Sequence, residues 1–360
     1  MTQYDAIPMN RLDFGLDSAT EGRSLWPPAG DSGYSENDAI WVYDEAQGIG
    51  VHAWLGHSGE QYPEAFERMS VFLPGGVVLA LAQRGPQHTE ATQSGPHMWA
   101  RCDAPFERWT YAYDGPVLPT TAEELSRGPV PAGREPVHVV FEAHARMVAP
   151  AFPQGAFFKN KADYHATSAS RFFGGYRCEQ PLMADASLKI GDKWHRICGP
   201  GLRTHRKGAR VMQTNAQVQV AKYTGHRWMH AVFPSGREIY HSWFGGADGE
   251  AIDGEAFVRD AGVTYRAQVR NPMPMGLEGA GARHEFSFVS GLGETHIQCE
   301  IIADSFQSLM GQEFFGVQWD SPNPDCLAMS QAFVRYHWGE ETAVNMMERS
   351  VGLAALKRPR

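Results

Sequence analysis

Ten residues, GLRTHRKGAR at 201–210, bring Arg203, His205, Arg206, Lys207 and Arg210 into one short run. In an extended chain, side chains alternate between faces. Arg203, His205 and Lys207 then share one side and Arg206 takes the other. Split this way, the charge does not form a one-sided phosphate stripe. Gly199, Gly201 and Gly208 permit bends or close approach of a neighbouring strand. Two readings stand: a solvated basic turn, or the polar end of a pocket. In a pocket an arginine would hold a substrate oxygen and a histidine would move a proton. Glu36, in GYSENDAIW, lies just before an apolar run. Half buried, its carboxyl would keep its proton to higher pH and act as an acid; in a loop it would be solvated. His57, closing VHAWLGH, reads equally as a surface strand end or a pocket group.

Other chemistries lack their patterns. The chain has 15 His but no H-E-x-x-H and no Cys/His cluster with zinc spacing, so no metal is expected. His226 and His230, four apart on a strand, would share a face but stand roughly 13 Å apart, too far for one ion. There is no phosphate-binding G-x-x-x-x-G-K-[ST] and no G-x-S-x-G elbow. GLGETH (291–296) and GLEGAGAR (276–283) read as turns, and no cofactor is expected. With a net charge of −9 and a pI near 5.9, nucleic acid is not an expected partner. The 5 Cys contain no C-x-x-C pair and read as reduced thiols. MTQYDAIPMN does not look like a signal peptide, and no run of 18 apolar residues exists. The expectation is a cytoplasmic protein without stable membrane insertion.

The elements that would position these residues are strands. AIWVYD (39–44), IGVHAWLGH (49–57) and ERMSVFLPGGVVLALAQ (67–83) follow one another, with turns at EAQG and Pro74-Gly75-Gly76. ERWTYAYDG (107–115) puts Trp109, Tyr111 and Tyr113 on one face. EPVHVVFEAHARM (135–147) is a further strand. Past a poorly patterned stretch at 150–175, ADASLKIGDKWHRICG turns at Gly191-Asp192, and HRWMHAVFPSGREIYHSWF turns at Pro234-Ser235-Gly236. TAEELSR (121–127) reads as a helical turn or two. ETAVNMMERSVGLAALK (341–357) reads as a C-terminal helix, and the first 35 residues as an arm. The hairpins VFLPGGVVLAL and AVFPSGREIYHSW resemble each other, with prolines 160 residues apart. Together with strands in both halves, this favours two tandem all-β units, which we divide at 1–178 and 179–360.

A family enters on these residues. GLRTHRKGAR resembles the R-D-H-x-x-G-x-R signature of the carotenoid 1,2-hydratase (hydroxyneurosporene synthase) and AttH-like superfamily. Thr204 stands at its Asp and Arg206-Lys207 at its S-W. SENDAIWVYDEAQGIGVHAWLGH resembles the group's early strand and D-x-x-x-G-I-G turn. APFERWTYAYDG resembles its P-F-x-x-W-x-x-x-Y-D-G element, TGHRWMHAVFPSGREI a strand pair after the R-x-H segment, and MSQAFVRYHWGEETAVNMMERS its closing strands. The likeness implies an all-β fold: two lipocalin-like antiparallel β-barrels packed together, with short helices and a ligand cavity in or between them. It implies chemistry on isoprenoid or polyketide-like substrates, by water addition or by cofactor-free cyclisation.

The expected function is therefore a cofactor-independent hydratase, dehydratase, cyclase or isomerase acting on a hydrophobic terpenoid- or polyketide-like molecule. Glu36, or His205 as imidazolium, would supply the proton. Arg203 or Arg210 would hold an oxygen. Trp41, Trp109, Trp243 and His57 would line the substrate. Cation–π contact with a developing carbocation is worth about 0.5–2 kcal/mol per ring. The alternative is a non-catalytic carrier of a hydrophobic small molecule.

Overall fold

A computed structural model of the chain describes residues 6–7, 16–22, 34–58, 64–87, 91–167, 170, 176–209, 224–246, 251–310, 312 and 314–359. The elements run β1 (Ala6–Ile7), α1 (Ser18–Glu21), β2 (Tyr34–Asp44), β3 (Ile49–Ser58), β4 (Glu64–Leu73), β5 (Val77–Pro86), β6 (Gln93–Ser94), β7 (Met98–Ala104), β8 (Arg108–Thr121), α2 (Ala122–Arg127), β9 (Val137–Met147) and β10 (Phe152–Pro153). They continue with α3 (Lys161–His165), β11 (Tyr176–Ile190), β12 (Lys193–Ala209), β13 (Gly225–Val232), β14 (Glu238–Gly245), β15 (Ala251–Asp260), β16 (Val263–Arg270), β17 (Arg283–Ser290), β18 (Gly293–Leu309), β19 (Leu327–Trp338) and β20 (Glu341–Gly352).

Two sheets carry these strands. In the second, β13 to β20 pair in sequence around a ring, which closes where β20 meets β13. In the first, the pairings run β12–β2–β3–β4–β5–β8–β9–β11 and return to β12. Every pairing is antiparallel. The chain is thus a pair of up-and-down barrels, the all-β lipocalin-like architecture. β1 crosses over to pair with β16 of the second barrel.

Alternation along the strands builds three apolar layers. Ile40, Val42, Val51, Leu55 and Leu182 fill the first barrel. Ile239, Val258, Phe288 and Val334 fill the second. The intervening positions, Ala39, Trp41, Tyr43 and Phe72, meet Trp228, Tyr240, Phe333 and Met346 in a seam between the barrels. Strand segments between the barrel interior and the seam are buried on both faces, so a stretch such as AIWVY of β2 reads as continuous apolar residues.

The expected turns at EAQG, Pro74-Gly75-Gly76, Gly191-Asp192 and Pro234-Ser235-Gly236 fall between strands, and TAEELSR forms α2. Three expectations are corrected. A division at 178/179 would cut through β11. The β11–β12 hairpin is bonded on one side to β9 and on the other to β2, so strands of the first sheet extend to Ala209. Residues 341–352 form β20 rather than a helix. Their apolar residues face both the barrel interior (Ala343, Met347) and the seam (Val344, Met346), and two-sided burial blurs the period-two pattern. Finally, the two proline hairpins are not equivalent. The Pro74 turn joins the third and fourth strands of its ring, counted from β2, whereas the Pro234 turn joins the first two strands of its own, counted from β13.

Candidate functional site

Gly201 to Ala209 lie in β12, bonded along one edge to β11 and along the other to β2. A Cβ at Gly199 or Gly201 would run into the backbone carbonyl of Tyr43 or Trp41, so both glycines are required by the close approach of β2. Arg203 and His205 point into the first barrel and are fully buried. Glu36 and Asp38, alternating along β2, point the same way. Arg210 lies outside the described residues.

These groups form one network. Arg203 Nη1 reaches Glu21 at 2.6 Å, Nη2 reaches Asp38 at 2.6 Å, and Nε donates to the Tyr111 hydroxyl at 2.9 Å. Tyr111 donates in turn to Asp38. The guanidinium carbon stands 3.8 Å from the Trp109 ring centroid. His205 Nδ1 lies 3.0 Å from Glu21 and Nε2 lies 3.0 Å from Glu36. Tyr176 donates to Glu21 at 2.9 Å. His57 is buried on the same face of β3, beside Glu36 in register.

Charge in this interior is set by competition between burial and pairing. Burial alone would raise the Glu21 pKa, but His205 and Arg203 outweigh it and hold the carboxyl below its usual range. Burial raises Asp38, and Arg203 does not fully offset it. Burial would lower His205; Glu21 and Glu36 overcome that and lift it to about 9. His57, lowered to about 3 by burial, is neutral at physiological pH. The imidazolium of His205 therefore stabilises the fold fully below the ordinary histidine pKa of 6.5, and that stabilisation is lost as pH rises through about 9. Urea titrations of the wild type should show stability falling over this window. His205→Gln should flatten the fall; an unchanged slope in the variant would refute the assignment.

With Thr204 at the position of the signature's Asp, no neighbouring carboxylate in the sequence orients His205. The structure supplies two from distant segments: Glu36 of β2, and Glu21 of α1. Glu21 was missed. It belongs to a four-residue helical turn with no periodic pattern, and its one local signal is the Asp17 N-cap, which accepts from the Ala19 amide.

The aromatic candidates separate. Trp109 lines the barrel network. Trp41 is on the opposite face of β2, in the seam. Its ring stacks on His52 at 4.5 Å, meets the Trp228 edge at 5.2 Å, and Nε1 donates to Gln331 at 2.9 Å. Trp243 belongs to neither group; it lies in the second barrel with Arg227 5.1 Å from its ring centroid.

The seam holds a second polar group, which sequence reasoning also missed. His52 and Ser70 are register partners on β3 and β4; Trp54 and Arg68 form the next pair on that face. The Arg68 guanidinium lies between two rings, 3.9 Å from Trp54 and 4.4 Å from Phe314. From the second barrel, Ser305 and Gln307 stand on the same face of β18 as their β19 register partners Gln331 and Met329. Gln331 donates to Glu348, whose other oxygen lies 2.6 Å from His226 Nε2. Both nitrogens of His52, Arg68 Nε, the hydroxyls of Ser70 and Ser305, and the Gln307 amide find no hydrogen-bond partner among the described residues. His52, Ser70, Ser305 and Gln307 are each 0 % exposed. Buried polar groups are normally paired, by protein or by ordered water, which makes this concentration the candidate polar site of the seam. Burial lowers His52 to about 3, so it is neutral and presents one donor and one acceptor. Burial lowers Arg68 to about 9, with Glu348 opposing, and the side chain remains a cation at pH 7. Among the described residues, no three His, Cys, Asp or Glu side chains are grouped to hold a metal, and no helix is long and apolar enough to cross a membrane.

The barrel pair is shared with solved structures. No family model and no curated protein matches the sequence. A Nitrosomonas europaea protein assigned as AttH superposes with a TM-score of 0.51 at 14% identity, over 93% of this chain and 99% of that one. Kievitone hydratase from Nectria haematococca gives 0.54 at 10% identity, over 97% and 96%. CghA with Sch210972 gives 0.50 at 10% identity, over 96% and 97%. At these identities the likeness shows the fold alone: this chain shares the β-barrel architecture of these structures.

Proposed function

We propose that the chain binds an elongated or polycyclic apolar molecule carrying a few oxygens in the seam between its barrels. It acts on that molecule without a cofactor, as a hydratase, dehydratase or cyclase. The observation that carries this reading is the set of unpaired buried polar atoms on His52, Arg68, Ser70, Ser305 and Gln307, framed by Trp41, Trp54 and Phe314. A substrate oxygen accepts from Arg68 or His52, which stabilises negative charge developing there. Burial keeps His52 neutral, so it serves as a hydrogen-bond donor or acceptor that orients the substrate oxygen rather than as a base. Aromatic walls exclude water and fold an extended chain, which is most of what an intramolecular cyclisation needs. A hydratase among the structures with the same fold supports the class; fold alone does not set it. On this reading Arg203 and His205, whose donors are already engaged by Glu21, Asp38 and Glu36, serve the barrel interior rather than the seam ligand.

The test uses purified protein with terpenoid and polyketide-like alkenes and alcohols in heavy-oxygen water, read by mass shift and by product isomer. Arg68→Met and His52→Ala are expected to weaken ligand binding at least about tenfold, the loss of one charge-assisted hydrogen bond. Both variants should remain folded, His52→Ala with a lowered melting temperature because its stack on Trp41 is lost. Glu36→Gln should leave seam binding intact; loss of turnover only in Glu36→Gln would return the chemistry to the first barrel. Tight binding without product would make the protein a carrier.

A further inference from the structure

The interior of the first barrel has a feature that the seam does not explain. Of residues 17–22, only Glu21 is fully buried, and Asp17, Ser18 and Ala19 are exposed. The Glu21 carboxylate is gripped by Arg203, His205 and Tyr176. Beyond it, Lys207 Nζ donates to the Thr20 carbonyl at 3.1 Å, and the Thr92 hydroxyl reaches the Gly22 carbonyl at 3.5 Å. A helical turn of four residues has little stability of its own. α1 is thus fixed to the barrel chiefly by one carboxylate rather than by an apolar face.

Charge favours an exchange. Glu21, Glu36 and Asp38 face Arg203, His205 and Lys207, three acids against three bases. If Glu21 withdraws, Asp38 still holds Arg203 and Glu36 still holds His205, and the vacated place carries one excess positive charge. Two further observations point to a ligand there. The indole Nε1 of Trp109, the residue whose ring lies under Arg203, has no partner among the described residues and is fully buried. Gln180, the register partner of Arg203, gives its amide nitrogen to the Phe106 and Ala149 carbonyls, but its buried Oε1 has no partner among the described residues. Gln180 also forms a wall of an open cleft of about 680 Å³, whose lining includes Phe106, Met147, Val148 and Leu16, the last only five residues before Glu21.

We propose that Arg203 and His205 form a seat for the carboxylate of an organic acid with an apolar tail, and that Glu21 fills this seat when the acid is absent. The acid's two oxygens take the positions of the Glu21 oxygens on Arg203 Nη1, His205 Nδ1 and the Tyr176 hydroxyl. Its tail passes Gln180 into the cleft beside Leu16. No covalent step is involved. The proposal concerns the opposite face of β2 from the seam and stands or falls separately from the function proposed there.

The experiment is hydrogen exchange on the full wild-type chain with hexanoate, and with hexanol or chloride at matched concentration. Hexanoate is expected to speed exchange of the Ala19–Gly22 amides several-fold and saturably, while hexanol and chloride do not. Unchanged exchange in hexanoate, or equal acceleration by hexanol, would overturn the proposal. In Glu21→Ala, hexanoate should raise the melting temperature saturably beyond the effect of chloride, and no such rise would also overturn it. The wild-type measurement decides the matter if that variant does not fold.

Discussion

Arg203→Met is expected to destabilise the protein by about 3–5 kcal/mol, the cost of leaving buried charge uncompensated. Asp38 loses its ion pair, Glu21 keeps only the one to His205, the Tyr111 hydroxyl loses a donor, and Trp109 loses the cation over its ring. Methionine fills similar volume, so the loss reports charge rather than a cavity. Asp38, already pushed up by burial, should then rise further with its cation gone, and the variant should regain part of its stability as pH is lowered. Arg203→Lys should recover little. One ammonium cannot reproduce the planar fork that serves Glu21, Asp38 and Tyr111 at once. Urea unfolding at pH 5 and pH 7.5 measures both effects. A loss under about 1 kcal/mol, as for a surface pair, would show that the network contributes little.

Trp41→Ala is the second large effect, about 3–5 kcal/mol for a buried tryptophan truncated to alanine. The substitution removes the stack on His52, the edge contact with Trp228 and the donor to Gln331 together. Because these contacts bridge the barrels, the loss should appear as lost cooperativity, with one calorimetric transition splitting into two. Trp41→Phe keeps a ring but not the N–H. It should lose about 1 kcal/mol from the unpaired Gln331 oxygen and retain a single transition. A single sharp transition in Trp41→Ala would mean that the seam is held elsewhere.

Architecture was legible where turns are sharp. Pro74-Gly75-Gly76, Gly191-Asp192 and Pro234-Ser235-Gly236 carry their own chemistry, and Trp109, Tyr111 and Tyr113 keep a clean alternation. That Arg203 and His205 share one face followed from that same alternation, but not which way the face points. What stayed hidden depends on pairing across long sequence distances. Glu21 meets His205 across 184 positions and Trp41 meets Gln331 across 290, and no local pattern encodes either. β20 read as a helix because its residues are apolar on both faces. The seam polar groups were unremarkable one at a time: Ser70, Ser305 and Gln307 draw notice only once two barrels have closed over them and left their bonds unmade.

β2 presents Glu36 and Asp38 to one side and Trp41 to the other, so a single strand divides two chemical compartments. Inheritance can then act on them separately. With the ligand in the seam as proposed, substitutions at odd positions would retune what the protein accepts while even positions preserve the charges inside. Relatives of this chain should diverge in ligand preference along one periodicity of β2 and stay fixed along the other.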